Sequence, residues 1–130
     1  MNYSQLQIET LLDGKLQIAY LNQPETYNSL NKILLKELRT FVHEGSKNPE
    51  VRCLAISGRG KAFCSGQNLK EALSMGDTED DRIIQRMVID YYNPLVKEIA
   101  DARKPVISLV NGPAVGAGAM LALICDISLA

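Results

Sequence analysis

Two glycine-punctuated turns, each placed directly after an apolar strand-like run, constrain the fold of this chain most. The first turn is KAFCSGQNL at 61–69, after VRCLAIS at 51–57, and the second is NGPAVGAGAM at 111–120, after VISLV at 106–110. A helix that opens at such a turn has N–H groups without intrahelical partners, and its dipole favours negative charge. Two such turns can aim backbone N–H groups at one point, the arrangement that holds a carbonyl oxygen as it becomes negative. The pattern predicts acyl chemistry.

Nucleotide binding by the second turn is excluded by its spacing. A dinucleotide fingerprint needs a third glycine where this chain has Leu121, and a P-loop needs Gly-Lys-Ser/Thr where it has Ala117-Gly118-Ala119. Close backbone packing at a strand-to-helix corner remains the alternative explanation for these glycines when the turn is taken alone.

Length and charge define the class of protein. The chain has 130 residues, of which 46% are hydrophobic and 22% charged, as expected for one globular domain over 1–130. Lys and Arg total 14 against 15 Asp and Glu and form no basic run, so no nucleic-acid partner is expected. No apolar run approaches the about 20 residues of a membrane helix, and the N-terminus lacks a signal-peptide pattern, so we expect no membrane partner and a cytoplasmic location.

The cysteine and histidine inventory does not fit a disulfide framework or a zinc site. Cys53, Cys64 and Cys125 are an odd set with irregular spacing, and His43 is the one histidine. We expect no metal. Cys64 is predicted to fill a tight turn as a small packing residue rather than to act as a reactive thiol. His43 is predicted to be solvated surface.

Hydrophobic spacing divides the chain into alternating strands and helices. Alternation on both sides of Asp13-Gly14 predicts a β-hairpin, and strands are predicted at 51–57 and 106–110. Helical spacing predicts helices from residue 29 to about residue 45 or 48, from about 79 to 102 with a kink or break at Pro94, and from 116 to about 124. This order favours an α/β fold with parallel strands.

The second predicted helix carries an apolar stripe that we expect to pack in the core. The acidic segment that leads into it, residues 75–81, is predicted to be a surface loop. The members of the stripe, which recur at helical spacing, are Ile83, Ile84, Met87, Val88, Tyr91, Leu95, Val96 and Ile99.

Four motifs occur in order along the chain: PETYNSL at 24–30, AFCSGQNL at 62–69, KPVI at 104–107 and NGPAVGAG at 111–118. Together they resemble the N-terminal portion of the crotonase superfamily, the enoyl-CoA hydratase/isomerase family, over nearly the whole chain. The stretch YYNPLV at 91–96, with SGQNL at 65–69, is similar to the branch that contains isomerases of phenylacetate-type and other unsaturated acyl-CoA esters. The resemblance implies an α/β crotonase-like spiral of ββα units, with 1–130 as a single core segment.

The resemblance also implies a site. The backbone N–H groups of Gln67 and Ala117 would form an oxyanion hole for a thioester carbonyl and stabilise the enolate formed when a proton leaves the adjacent carbon. The implied partner is an acyl-CoA thioester, with CoA as part of the substrate and no separate cofactor. The implied substrate-binding positions are Tyr27, Ser29, Leu30, Ala62, Ser65, Gly66, Asn68, Leu69, Gly116 and Met120.

Two positions depart from the pattern of the family. Hydratases of the family resemble one another in a glutamate three residues after the second oxyanion donor, where this chain has Met120. Relatives have an aspartate where this chain has Asn68. We therefore expect an enoyl-CoA isomerase rather than a hydratase, with a non-catalytic acyl-CoA-binding or assembly module as the alternative.

The last residues, CDISLA at 125–130, read as the start of a further strand. A strand that ends in mid-run leaves an unpaired edge, so we expect the C-terminal part of the fold downstream of Ala130. The resemblance implies that this part would supply the carboxylate that acts as base. It also implies a homo-oligomer, a trimer or hexamer, in the full-length form.

Overall fold

The computed structural model describes residues 2–68, 70–71 and 81–130, and within these ranges five strands form one sheet. The first pair of strands is antiparallel, and every other neighbouring pair is parallel. The predicted α/β fold with parallel strands is confirmed. In sheet order the strands are β1 (Leu6–Leu11), β2 (Leu16–Leu21), β3 (Cys53–Gly58), β4 (Val106–Leu109) and β5 (Ile127–Leu129).

The predicted hairpin is confirmed and joins β1 to β2. Leu6 pairs with Leu21 and Leu11 pairs with Leu16. Its turn runs through left-handed backbone, with φ of 54° at Leu12, 56° at Asp13 and 88° at Gly14. A left-handed conformation suits Gly and Asp, but it is strained for the leucine.

Helix α1 (Lys32–Lys47) connects the hairpin to β3. It begins at Asn31, whose side chain accepts a hydrogen bond from the N–H of Leu34 at 2.8 Å. This cap explains why the helix starts at Lys32 rather than at the predicted residue 29. The side chains that α1 buries include Leu34, Leu35, Leu38, Phe41 and Val42.

A π-helical turn interrupts the second predicted helix. Helix α2 (Asp81–Met87) is followed by the π turn Val88–Tyr92 and by helix α3 (Asn93–Asp101). The N–H of Asn93 donates to the carbonyl of Val88, and Pro94 lies near the start of α3, where a missing N–H is tolerated. The interruption predicted at Pro94 lies instead at this π turn, before the proline, and the backbone of Tyr92 and Asn93 stays helical. The predicted loop at 75–81 lies outside the described residues, except for Asp81 at the start of α2.

The prediction that the apolar stripe of this helix packs in the core is wrong for two of its members. Met87, Leu95 and Ile99 are buried, but Ile84 is 61% exposed and Val88 is 40% exposed. The stripe therefore divides into a part that packs against the core and a part that faces a cavity, described below.

Helix α4 (Ala117–Ile124) follows the second glycine turn and leads to β5. Ile127 and Leu129 of β5 are about half exposed at 50% and 52%, and β5 forms one edge of the sheet of described strands. The apolar core lies between the sheet and the helices and includes Leu21, Leu54, Ile56, Phe63 and Val106. No described helix is both long and apolar enough to span a membrane.

Candidate active site

The two glycine turns lie side by side in the fold. Cys64 and Ala114 form an isolated parallel bridge between them. The N–H of Phe63 donates to the carbonyl of Pro113 at 3.0 Å, and the N–H of Val115 donates to the carbonyl of Cys64 at 3.0 Å. These bonds bring the segment after β3 against the segment after β4.

Gly118 permits this close approach. A β-carbon at this position would overlap the carbonyl oxygen of Cys64 and lie 2.8 Å from its carbonyl carbon. Because only glycine leaves room for the neighbouring backbone, the alternative explanation of close packing at this corner holds for Gly118. It does not extend to Gly116, where a β-carbon would meet no heavy atom within 4 Å.

The backbone N–H of Gln67 points away from Leu30, the residue with which Gln67 pairs. Leu30 pairs with Gln67 in a parallel bridge, in which Leu30 donates to the carbonyl of Gly66 at 2.7 Å and Asn68 donates to the carbonyl of Leu30 at 2.8 Å. Since backbone groups alternate along an extended segment, the Gln67 N–H faces the opposite side. It donates to no acceptor among the described residues.

The N–H of Ala117 is the first of helix α4. Gly116 precedes it with φ of 57° and ψ of −124°, a conformation that glycine adopts readily. Gly118 donates to the carbonyl of Val115 at 2.9 Å and Met120 donates to that of Gly116 at 3.1 Å, whereas Ala117 has no acceptor in the described part of the chain. The Ala117 nitrogen lies 3.6 Å from the point where a β-carbon on Gly66 would be. The two free donors therefore belong to adjoining turns.

Both turns form part of the wall of one cavity of about 560 Å³. This volume lies in the range of small-molecule sites, which are mostly apolar with a few polar groups. The structure thus brings four of the implied site residues together. The described residues that line the cavity are Gln67, Ile84, Met87, Val88, Tyr92, Asn93, Val96, Gly116, Ala117 and Met120.

Several other implied site residues form a hydrogen-bonded strip next to the first turn and do not line this cavity. The N–H of Ser65 donates to the carbonyl of Tyr27 at 3.0 Å, and the Asn68 side chain donates to the Ser29 hydroxyl at 3.3 Å. Tyr27 is 56% exposed.

The remaining implied residues have backbone roles or fall outside the description. Leu30 is buried and holds the Gln67 bridge. Ala62 is buried, and its carbonyl accepts hydrogen bonds from the side chains of Asn28 and Asn111 at 3.0 and 3.2 Å. Leu69 lies outside the described residues.

Asn28 is a site-supporting residue that the sequence analysis did not single out. It is fully buried with φ of 58°. Its side-chain oxygen accepts from the N–H of Gln23 at 2.9 Å, and its side-chain nitrogen donates to the carbonyls of Arg59 and Ala62 at 2.9 and 3.0 Å. Hydrogen bonds from this side-chain amide therefore hold the segment 23–28 against the start of the first glycine turn. Its place in the PETYNSL motif is the signal that could have identified it.

The wall supplied by α2, the π turn and α3 was also missed as part of a site. Ile84, Val88, Tyr92 and Val96 face the cavity. The YYNPLV stretch pointed to a branch of the family but was not assigned to a site. Helical spacing gives the same signal for a core stripe and for a cavity wall.

Tyr92, the one titratable residue among the described lining residues, is neutral at neutral pH. Burial, with smaller contributions from the nearby Cys64 and Glu71, raises the pKa of Tyr92 to about 12. Burial also raises the pKa of Cys64 to about 11, which agrees with a packing role for this thiol. No Asp, Glu, His, Lys or Arg is present among the lining residues that the structure describes. The cavity can therefore offer hydrogen-bond donors, but those residues supply no carboxylate.

Comparison with known proteins identifies the family. The family model for enoyl-CoA hydratase/isomerase matches residues 14–130. This chain belongs to that family. It is 40% identical over 110 residues to the 1,2-epoxyphenylacetyl-CoA isomerase of Escherichia coli (strain K12), with 85% of this chain and 42% of the relative covered. It is 35% identical over 117 residues to the enoyl-CoA hydratase domain-containing protein 3 of Danio rerio, covering 90% of this chain and 39% of the relative.

A solved structure supports the same assignment for the fold. The crystal structure of an enoyl-CoA hydratase/isomerase from Mycobacterium paratuberculosis matches with a TM-score of 0.80 at 31% identity, over 95% of this chain and 48% of the other. The predicted crotonase-like fold is confirmed. The chain spans about half the length of the curated relatives it matches. Its relatives carry the names of both isomerases and hydratases.

Proposed function

We propose that this chain carries the thioester site of an enoyl-CoA isomerase, with the N–H groups of Gln67 and Ala117 bound to the thioester carbonyl oxygen. The observation that supports this function is the pair of free N–H donors on adjoining turns at the wall of one apolar cavity. As a proton leaves the carbon next to the thioester, negative charge grows on the oxygen. Each such donor typically lowers the barrier by about 3 kcal/mol.

The cavity would hold the acyl group and exclude water from the enolate. Apolar side chains from the π turn, α3 and α4 face it, among them Val88, Val96 and Met120. In a water-poor site the interaction between the donors and the developing oxyanion is stronger than in bulk solvent. Double-bond isomerisation then needs one group that removes a proton and returns it at another carbon. We assign this group to a position outside the described lining residues.

Met120 favours isomerisation over hydration. Its side chain lies at the cavity, at the position where the resemblance to hydratases implies a glutamate. A thioether can neither accept a proton nor orient a water molecule. The isomerase name of the Escherichia coli relative supports the same choice.

A non-catalytic acyl-CoA-binding or assembly module is the second candidate. It is favoured by the lack of a carboxylate among the described residues that line the cavity. Both candidates require binding of the thioester, and only the isomerase moves a double bond. Incubation with 3-hexenoyl-CoA, followed by chromatographic separation of the double-bond isomers, distinguishes them.

The thioester site itself is tested by isothermal titration with crotonyl-CoA, and with crotonate and CoA as separate ligands. We expect crotonyl-CoA to bind more tightly than either part. Ala117→Pro removes one donor at a helix position that tolerates proline, so thioester binding should fall by about fivefold to tenfold, the usual effect of one neutral hydrogen bond. Ala117→Ser keeps the N–H and serves as the matched control, with thermal unfolding as the check on folding. Equal affinities for thioester and free acid in the wild-type chain would overturn the proposal.

A further inference from the structure

Gln67 and Tyr92 form a polar pair inside the cavity. The phenol of Tyr92 donates a hydrogen bond to the side-chain oxygen of Gln67, and both residues line the cavity. Gln67 comes from the first glycine turn and Tyr92 from the end of the π turn Val88–Tyr92. Single π turns within helices occur frequently at functional sites. The hydrogen bond therefore connects SGQNL at 65–69 with YYNPLV at 91–96, the two stretches whose sequences resemble one branch of the family.

The pair retains an unused hydrogen-bond donor. The side-chain nitrogen of Gln67 carries two hydrogens, and its one acceptor among the described residues is the carbonyl of Asn68 at 3.4 Å. The side-chain oxygen already accepts from Tyr92, which polarises the amide and strengthens its N–H as a donor. With a pKa raised to about 12, the Tyr92 phenol keeps its proton at neutral pH and goes on donating.

The apolar residues around the Gln67 side-chain amide allow this donor to discriminate between ligands. The other described lining residues are apolar or glycine except for Asn93, which is exposed. A polar group in an apolar pocket fixes the orientation of a ligand and discriminates between ligands that do and do not pair with it. The Gln67 and Tyr92 side chains already pair with each other, so a purely hydrocarbon acyl group leaves that bond intact.

We propose that the Gln67 side chain, held by Tyr92, selects acyl groups that carry an acceptor oxygen of their own, such as an ether, epoxide or carbonyl, in addition to the thioester. The role is one of specificity: the Gln67 amide would donate to the acyl oxygen, and Tyr92 would position that amide. This inference rests on the proposed function, because it takes the cavity to be the acyl site.

Two thioesters that differ by a single atom test the selection. (Tetrahydropyran-2-yl)acetyl-CoA has a ring oxygen where cyclohexylacetyl-CoA has a methylene group. By isothermal titration we expect the wild-type chain to bind the ether about fivefold to tenfold more tightly, the usual effect of one neutral hydrogen bond. Gln67→Met keeps the length of the side chain and the backbone N–H, and the ratio of the two affinities, which measures the preference whatever the change in overall binding, should fall to about one.

Tyr92→Phe and two matched control variants show whether a lost preference for the ether comes from the Gln67–Tyr92 pair or from a general disturbance of the fold. Tyr92→Phe frees the Gln67 amide and should reduce the preference to about twofold. Tyr91→Phe and Gln85→Met make the same chemical changes at positions outside the described cavity lining and should retain the full preference. Thermal unfolding of each variant confirms that the comparison is made on folded protein.

The outcomes separate this inference from the proposed function. If the wild-type chain binds both thioesters more tightly than CoA but with equal affinity, the selection is wrong and the thioester site stands. A preference for the ether that survives Gln67→Met also overturns the role of the amide. If neither thioester binds more tightly than CoA alone, the proposed function fails, and this inference fails with it. The comparison of the two thioesters on the wild-type chain tests the selection even if a variant does not fold.

Discussion

Cys64 and Ala114 face each other in an isolated parallel bridge, and this contact aligns the two glycine turns. Neither side chain is required for the chemistry proposed here. What matters is the backbone: the Cys64 carbonyl accepts from Val115 at 3.0 Å, and the Pro113 carbonyl accepts from Phe63 at 3.0 Å. The relative position of the Gln67 and Ala117 donors follows from this pairing, so disturbing the bridge should affect stability and thioester binding together.

Gly118→Ala tests that coupling. The added methyl group would overlap the Cys64 carbonyl oxygen, and the backbone on one side must move. We expect a loss of about 3 kcal/mol in the free energy of unfolding, measured by urea denaturation, with a parallel loss of crotonyl-CoA affinity. Leu123→Ala on the same helix, at a position 75% exposed, should change stability by less than about 0.5 kcal/mol. A Gly118→Ala protein as stable as wild type would show that the turns are not held in close contact.

The strands, the helices and the position of the two turns are predictable from local pattern, since apolar periodicity and glycine placement are local signals. The cavity wall is not. Ile84 and Met87 have the same helical spacing, yet Met87 is buried and Ile84 is 61% exposed. The difference is set by tertiary contacts, which no local pattern encodes.

The same limit applies to the site. Gln67 and Ala117 can be chosen by motif position, but the contact between Gln67 and Tyr92 joins two stretches that are distant in sequence. Asn28 illustrates a third case, because a buried asparagine in a turn motif has the same local signature as an exposed one. Only the burial and the hydrogen-bond partners seen in the structure distinguish a buried asparagine from an exposed one.

Asn28→Asp tests the role of the buried amide. The substitution retains the side-chain shape and tolerance of φ of 58°, but places a carboxylate oxygen against the carbonyls of Arg59 and Ala62. We expect a loss of about 3 kcal/mol in the free energy of unfolding at pH 7. Because this environment raises the pKa of the introduced carboxyl group above its unfolded value, the deficit should shrink as the pH falls toward about 4.

Asn48→Asp is the matched control for this change. The Asn48 side chain acts as an acceptor for the N–H of Glu50 at 3.0 Å, a role that aspartate preserves. Its effect on stability should be small at both pH values. A pH-independent deficit in Asn28→Asp would contradict the account given for the buried amide.

Leu12→Asn should stabilise the protein. Leu12 is 69% exposed and has φ of 54°, so it contributes little burial and adopts a backbone conformation unfavourable for leucine. Asparagine tolerates this conformation better, and we expect the free energy of unfolding to rise by about 0.5 to 1 kcal/mol in thermal or urea denaturation. Leu11→Asn, in the adjacent strand β1, should be destabilising instead. If both changes lower stability, strain at Leu12 is not the controlling factor.

The raised pKa of Tyr92 predicts how the stability of the protein changes at alkaline pH. Burial holds the folded-state pKa at about 12, above the ordinary value of 10.0. Between these values the unfolded state has lost the Tyr92 proton while the folded state keeps it, so stability falls as the pH rises through this window and is unaffected below it. The difference between the ultraviolet titrations of wild type and Tyr92→Phe should have its midpoint near pH 12. A midpoint near pH 10 would show that the phenol is solvated and not held against Gln67.

Met120 provides the test of reaction type. With a thioether at the cavity, crotonyl-CoA hydration should be negligible, as followed by loss of the enoyl thioester absorbance. Met120→Glu should create hydration only if a second carboxylate outside the described lining residues, such as the base that isomerisation requires, faces the same cavity. An unpaired carboxylate in an apolar wall should weaken crotonyl-CoA binding by about tenfold and lower the thermal stability. Met120→Leu, which keeps the wall apolar, should bind the thioester like wild type. Substantial hydration by the wild-type chain would contradict the isomerase assignment while leaving the oxyanion donors in place, because both reactions use them.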